Sequence, residues 1–238
     1  MRNRLHFFNL KARRKRRKPL LFAHHERQRL WFARRHRRWT RQMWSKVLFT
    51  DETRISLRRN DRAKRVWREP GEAMNRECLE GVEAFDVGVM VWGGISTEGR
   101  TELVIIRGGL TGQRYVNEVL QPQVRPYHAA IGQDFILMDD NAPPHRAAVT
   151  DAYLEGEAIE RMDWPARSPD LNPLENLWAH LKIQVSRHVQ RNTTVADLEQ
   201  IIVRQWNRTD QNYISNLIHS MRHRCIATIR AEGGPTKY

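Results

Sequence analysis

The sequence predicts an α/β fold: a mixed β-sheet with helices on its faces. Three observations predict it. Three strand-like runs follow one another at 46–57, 85–96 and 101–108; helical and strand-like segments then alternate from 111 to about 165; the chain closes with three helical segments. A three-strand meander followed by alternating helices and strands makes a sheet of mixed direction that helices cover on both sides.

The elements follow in order. Residues 20–44 (LLFAHHERQRLWFARRHRRWTRQMW) place Leu30, Ala33, Arg37 and Arg41 at intervals of three and four, which predicts one basic, aromatic-flecked helix. KVLFTDETRISL (46–57) alternates and is rich in β-branched and aromatic residues, as a strand is. Residues 58–86 are polar and Gly/Pro-marked, with a short strand-like RVW at 65–67. They form an insertion between strands, and long structured insertions tend to be functional. FDVGVMVWGGIS (85–96) and TELVIIRG (101–108) flank a Ser-Thr-Glu-Gly turn and predict an antiparallel hairpin. Residues 111–131 are helical in pattern, with Pro126 expected to kink the helix or end it early. DFILMDD (134–140) is a short apolar run of the kind a buried central strand shows. A helix at AAVTDAYLEGEA and a short strand at IERMDWP come next. Then come helices over 172–187, over TTVADLEQIIVRQWNRT with a Thr cap, and over ISNLIHSMRHRCIATIRAEGG, stopped by Gly233 and Gly234.

The length of 238 residues suits one good-sized domain, or one domain with a short appendage. The formal charge is +14, and its distribution is uneven: residues 1–44 hold 16 Lys/Arg and one acid, whereas residues 45–238 hold 25 Lys/Arg and 26 acids. A near-neutral domain therefore carries a strongly basic arm, for which nucleic acid is the default partner. RRKRRK (Arg13, Arg14, Lys15, Arg16, Arg17 and Lys18) is a solid basic block, a candidate phosphate-backbone clamp or nuclear-import signal rather than a mere solvated linker. No apolar run reaches the length of a membrane span, and the N-terminus lacks the apolar core of a secretory signal. Cys78 and Cys225 lie far apart and make neither a disulfide framework nor a zinc cluster, which suits a reducing compartment.

Three acidic positions carry candidate chemistry. Asp51 ends KVLFTD, Asp139 and Asp140 end FILMDD, and Glu175 lies in the first turn of a helix. A carboxylate at the end of a buried strand is costly unless paired or metal-bound. Parallel neighbouring strands would bring Asp51 and Asp140 to one sheet edge, where open α/β sheets place ligands. Each has a purely structural alternative: a polar turn for Asp51, an Asx-turn for Asp140, and a capping box from Asn172 and Pro173 for Glu175. The helix's apolar face is Leu171, Leu174, Trp178, Leu181 and Val185, and Glu175 lies beside it. Together, three carboxylates from separate elements suit Mg²⁺, and two such ions can drive an in-line phosphoryl displacement. His145 is a candidate DNA or phosphate contact or a loop-packing residue. Ser168, Asp170 and Asn172 are explained by turn capping, and Trp92, Trp164 and Trp178 by core packing.

KVLFTDE (46–52), VMVWGGIS (89–96), MDDNAPPH (138–145), DWPARSPDLNPLENLW (163–178) and the closing GGPTKY (233–238) resemble the transposases of the Tc/mariner superfamily, most closely its Tc branch. That branch has a catalytic Asp, Asp, Glu triad with 34 residues between the last two. Asp140 and Glu175 have that spacing, whereas Asp139 does not. The resemblance implies an RNase H-like fold, an Asp51/Asp140/Glu175 site holding two Mg²⁺ ions (Mn²⁺ as substitute), and cut-and-paste transfer of double-stranded DNA ends to TA targets. It further implies a homodimer on DNA, with neither a membrane nor a small-molecule substrate; the nuclear location is expected from residues 13–18 and from the need to meet chromosomal DNA. The expected division is 1–19 as the tail of a helix-turn-helix domain with a basic linker, 20–44 as a basic helical linker, and 45–238 as the catalytic domain. Because the family carries two helix-turn-helix units ahead of that domain, the chain is expected to be N-terminally truncated. The alternative is a transposition-incompetent DNA-binding remnant; a general Mg²⁺ nuclease of the RNase H type is a third, weaker reading. Asp139 stands where relatives more often have Gln, and strand alternation should turn it to the face opposite Asp140, with a mild effect.

Overall fold

The computed structural model describes residues 20–57 and 87–238. The basic block at 13–18, Cys78 and the insertion over 58–86 with its RVW segment lie outside the described residues.

The sheet has five strands in the order β3-β2-β1-β4-β5. β1 (Val47–Ser56) pairs antiparallel with β2 (Gly88–Ile95), which pairs antiparallel with β3 (Val104–Ile106), so the expected hairpin is present. On its other side β1 pairs in parallel with β4 (Ile136–Met138), and β4 with the two-residue β5 (Glu160–Arg161). Alternation along the strands divides the core in two. Val47, Phe49 and Val91 join one apolar cluster with Trp178, Leu181 and Trp206, while Leu48, Trp92 and Leu137 join another with Tyr115, Val119 and Leu120.

The first cluster is roofed by α6 (Pro173–Ser186) and α7 (Val195–Asn207). All five residues predicted for the apolar face of α6 are buried, and Leu177 joins them. Trp178 stacks on Trp206 with ring centroids 5.3 Å apart. Both indoles lie over Gly93 of β2, where a Cβ would stand 2.9 Å from Trp206 and 3.1 Å from Trp178. The expected Thr cap of α7 is Thr194, which forms a capping box with Asp197. Trp92, Trp164 and Trp178 are core residues, as predicted.

Three helical expectations are corrected. Residues 112–131 are helical as expected, but Pro126 does not end the helix early: α3 (Gly112–Tyr115), a π-helical stretch (Val116–Val124) and α4 (Arg125–Ile131) follow one another. The stretch with i→i+5 bonding contains Pro122, and Pro126 sits in the first turn of α4. The wider turn moves the carbonyl that a proline ring would strike, so neither proline ends the helix. The C-terminal segment is two helices, α8 (Gln211–His219) and α9 (Met221–Arg230), broken at Ser220.

The third correction concerns 20–44, which is no single linker helix. α1 (Ala23–His36) ends at a turn, and Thr40 caps the short α2 (Arg41–Trp44) by accepting from the Met43 N–H. α1 packs along α9, with Phe32 and Ala33 wholly buried in the first cluster. After a 3-10 turn at Pro143–Arg146, α5 (Ala148–Gly156) covers the second cluster through Leu154.

Candidate active site

The parallel pairing of β1 with β4 ends at Phe49 and Met138. Beyond it β1 continues, held by β2 alone, with Asp51 opposite Gly93. Asp51 is thus inside its strand rather than at its end, but it sits where β4 has stopped and the sheet opens. Asp140 stands two residues past Met138, level with Asp51, so two carboxylates reach the same edge. Thr50 fixes the corner by donating its hydroxyl to the Met138 carbonyl at 2.7 Å.

Glu175 enters from the first turn of α6. Asn172 is the N-cap, accepting from the Leu174 N–H at 3.0 Å, and its amide donates to the Thr50 carbonyl at 3.4 Å. One side chain therefore both starts the helix and ties its first turn to β1. The expected capping box does not form, and among the described residues no hydrogen bond engages the Glu175 carboxylate. Asp51, Asp140 and Glu175 line one cleft of about 340 Å³, together with Asn141, Trp164 and the loop from Pro165 to Pro169.

The three acids differ electrostatically. Asp51 accepts the Glu52 N–H at 2.9 Å and the Trp178 indole N–H at 3.2 Å. Burial, followed by repulsion from Glu175, Glu52 and Asp140, holds its carboxyl well above the usual range. Burial also raises Glu175, against the opposing pull of Lys182. For Asp140 burial pushes upward, but hydrogen bonds from His145 and the Ala142 N–H outweigh it and hold the carboxyl low.

His145 is built into the site. Its Nδ1 lies 2.8 Å from Asp140 and its Nε2 3.2 Å from Glu52. Burial alone would lower this imidazole; the two carboxylates prevail and lift it to about 10, so both ring nitrogens donate as an imidazolium. Of the two roles weighed for His145, the geometry shows the loop residue, with a specific duty: it links the Asp140 loop to β1. Asp139 faces the other way, as strand alternation predicts. It is fully buried, 2.9 Å from Arg146 and 3.6 Å from Arg161.

The donor set fits a hard divalent cation. Its carboxylates come from three elements, burial raises two of them, with neighbouring acids adding to the rise at Asp51, and all are oxygen donors. Among the described residues no three His, Cys, Asp or Glu side chains already stand close enough to coordinate one ion, so the acids surround the cleft without yet forming a coordination shell.

A second structural duty went unpredicted. Asp170, assigned to turn capping from the sequence, is buried and takes a two-pronged hydrogen bond from the equally buried Arg29 of α1. Arg29 also donates to the Gly233 and Gly234 carbonyls, and Thr236 donates its N–H and hydroxyl to Asp170. This clasp joins α1, the loop behind the cleft and the GGPTKY terminus. Gly233 has a φ of +88°, and a Cβ there would lie 2.1 Å from the Glu26 carbonyl oxygen, so glycine is required. Arg29 was hidden among many arginines; its only signal was its place on the apolar side of the helical pattern, one residue before Leu30 and three before Phe32.

The mixed sheet brings Asp51 and Asp140 to one edge, and α6 brings Glu175 into the same cleft. A family model described as DDE superfamily endonuclease matches residues 46–201, and the chain belongs to that family. It is 35% identical over 225 residues to the Transposable element Tc3 transposase of Caenorhabditis elegans, covering 92% of this chain and 65% of that protein. It is 32% identical to the Tcb2 transposase of Caenorhabditis briggsae, covering 100% of this chain and 87% of that one. The chain thus spans just under two thirds of the length of the Tc3 protein. Among solved structures, the catalytic domain of Mos1 mariner transposase matches with a TM-score of 0.69 and 17% identity, covering 93% of this chain and all of that one. A Mos1 paired-end complex with Mg matches with a TM-score of 0.75 and 19% identity, covering 99% and 71%; another Mos1 complex contains Mn. The RNase H-like mixed sheet expected from the sequence is the fold of this chain.

Proposed function

We propose that this chain catalyses metal-dependent DNA cleavage and strand transfer, with Asp51, Asp140 and Glu175 as the carboxylates that hold two Mg²⁺ ions, Mn²⁺ serving as substitute. The observation that carries the reading is the meeting of these three acids in one cleft, with Glu175 released from any capping duty. Bound there, the ions would activate an attacking oxygen and stabilise the leaving one in an in-line displacement at phosphorus. The protein's own part is positioning. Asn172 sets Glu175 against β1, the Trp178 indole orients Asp51, and His145 holds the Asp140 carboxylate in one rotamer.

The substrate we propose is double-stranded DNA: transposon ends, joined to TA target sites by a pair of subunits. The kinship with Tc transposases and the paired-end form of the Mos1 complexes support this. Residues 13–18 would supply a sequence-independent backbone contact and a nuclear-import signal. α1 and α2 belong, on this reading, to the catalytic unit, which then begins near residue 20 rather than 45.

The test is cleavage of a supercoiled plasmid carrying candidate ends, with Mg²⁺ or Mn²⁺. Nicking or linearisation by the wild type, lost in Asp140→Asn at unchanged DNA binding, supports the reading. Equal cleavage by both proteins contradicts it, and binding without cleavage by either would mark the chain as a DNA-binding remnant.

A further inference from the structure

We propose that the groove between α1 and the 163–166 segment receives an unpaired base of the DNA strand entering the carboxylate cleft, stacked on Trp31. The proposal rests on the DNA-processing reading of that cleft and adds a nucleotide subsite to it.

The groove has a volume of about 710 Å³. It shares Asn141, Trp164, Pro165 and Ala166 with the catalytic cleft, and Asn141 directly follows Asp140, so the two hollows adjoin. Its far wall is α1, through Arg27, Gln28 and Trp31. This helix lies outside the region that the family model matches.

Trp31 is the exposed member among the described tryptophans; 48% of it is open to solvent, while Trp44, Trp92, Trp164, Trp178 and Trp206 are core residues. Nothing in the packing of α1 needs it, because that helix buries its other face through Phe32, Ala33 and Arg29. The Arg35 guanidinium lies 5.3 Å from the Trp31 ring centre, and the same ring lines the groove, so it joins a cationic contact to an aromatic wall. Arg27, Arg34 and Arg35 are all exposed, and with Trp31 they follow the helical spacing of one solvent face.

This combination fits a nucleotide with its phosphates on the arginine rim and its base inside. An aromatic platform beside a basic track is how proteins hold single-stranded nucleic acid. The interior is unsuited to phosphate, because exposed Asp163 lines it. Asp163 and Gln28 instead offer acceptors and donors of the kind that meet base edges, while Asn141 is held by the Trp164 carbonyl and Arg146.

The test uses full-length protein without divalent metal, so that no chemistry intervenes. The probe is a DNA duplex with a short single-stranded tail containing 2-aminopurine, with a blunt duplex as control. Wild type and Trp31→Phe should quench the 2-aminopurine. Trp31→Ala should lose the quenching and bind the tailed DNA roughly 5- to 100-fold more weakly, with its affinity for blunt duplex unchanged. Undiminished quenching in Trp31→Ala would overturn the proposal, and so would an equal loss of affinity for both DNAs. Because the readout is binding, a failure here is separable from a failure of the catalytic reading, which the plasmid assay measures.

Discussion

Arg29 and Asp170, 141 positions apart in sequence, meet through parallel hydrogen bonds of 2.6 and 2.8 Å with neither side chain open to solvent. The pair bolts α1 and the C-terminus to the loop that forms the back wall of the cleft. Breaking a buried pair from one side leaves an uncompensated charge. Asp170→Ala should therefore cost about 3–5 kcal/mol of stability. Urea unfolding measures it, and a loss below about 1 kcal/mol would contradict the assignment.

The same pair sets a pH dependence. Burial pushes the Asp170 carboxyl upward, but Arg29 and Thr236 outweigh it and hold it below its ordinary value. A lowered carboxylate contributes stability that is present above its unfolded-state value of about 4 and lost as pH falls through the folded-state value. The wild type should lose stability below pH ~4, and Asp170→Asn should show a shallower acid limb at a lower plateau. Parallel acid limbs would place the linkage elsewhere.

Asp139 and Asp140 should separate cleanly. Asp140→Asn is expected to abolish metal-dependent cleavage with stability changed by less than about 1 kcal/mol. Asp139→Ala strips a fully buried partner from Arg146 and Arg161. It should cost about 3 kcal/mol while the rate per folded molecule stays within a few-fold of wild type. Unfolding and cleavage, measured on the same preparations, distinguish the two.

His145→Ala removes the bridge from Asp140 to Glu52. Loss of a group that orients a metal-holding carboxylate typically costs about 10- to 100-fold in metal affinity or activity. We expect a loss of that size in Mn²⁺ affinity by calorimetry, matched in cleavage rate at subsaturating metal. Unchanged affinity would reduce His145 to loop packing.

Much of this was legible in the sequence, for reasons that differ by element. β1 and β4 announced themselves by short apolar runs ending in acids, and α6 by Asn172 and Pro173 followed by an apolar face in helical register. The 34-residue spacing chose Asp140 over Asp139, and the structure puts them on opposite faces. The role of α1 was hidden because its buried face includes Arg29, His25 and His36, which look like solvent-facing residues until their partners are seen. Those partners lie more than 130 residues away for Arg29, and no local pattern encodes them. The break at Ser220 was equally silent: its backbone stays in the right-handed helical region, so neither Gly nor Pro marks it. The freedom of Glu175 could not be read either, since Asn172, Pro173 and Glu175 stand in capping-box spacing, and only the folded structure shows that no capping box forms and that Glu175 lines the cleft.

The central claim is that Glu175 serves a metal rather than its helix. Joining of pre-cut 3′-hydroxyl DNA ends to a TA-containing target tests it most directly, comparing wild type with Glu175→Gln in Mg²⁺ or Mn²⁺. The account predicts joined products from the wild type alone, with both proteins equally stable and equally bound to DNA. Joined products from Glu175→Gln at the wild-type rate would contradict it.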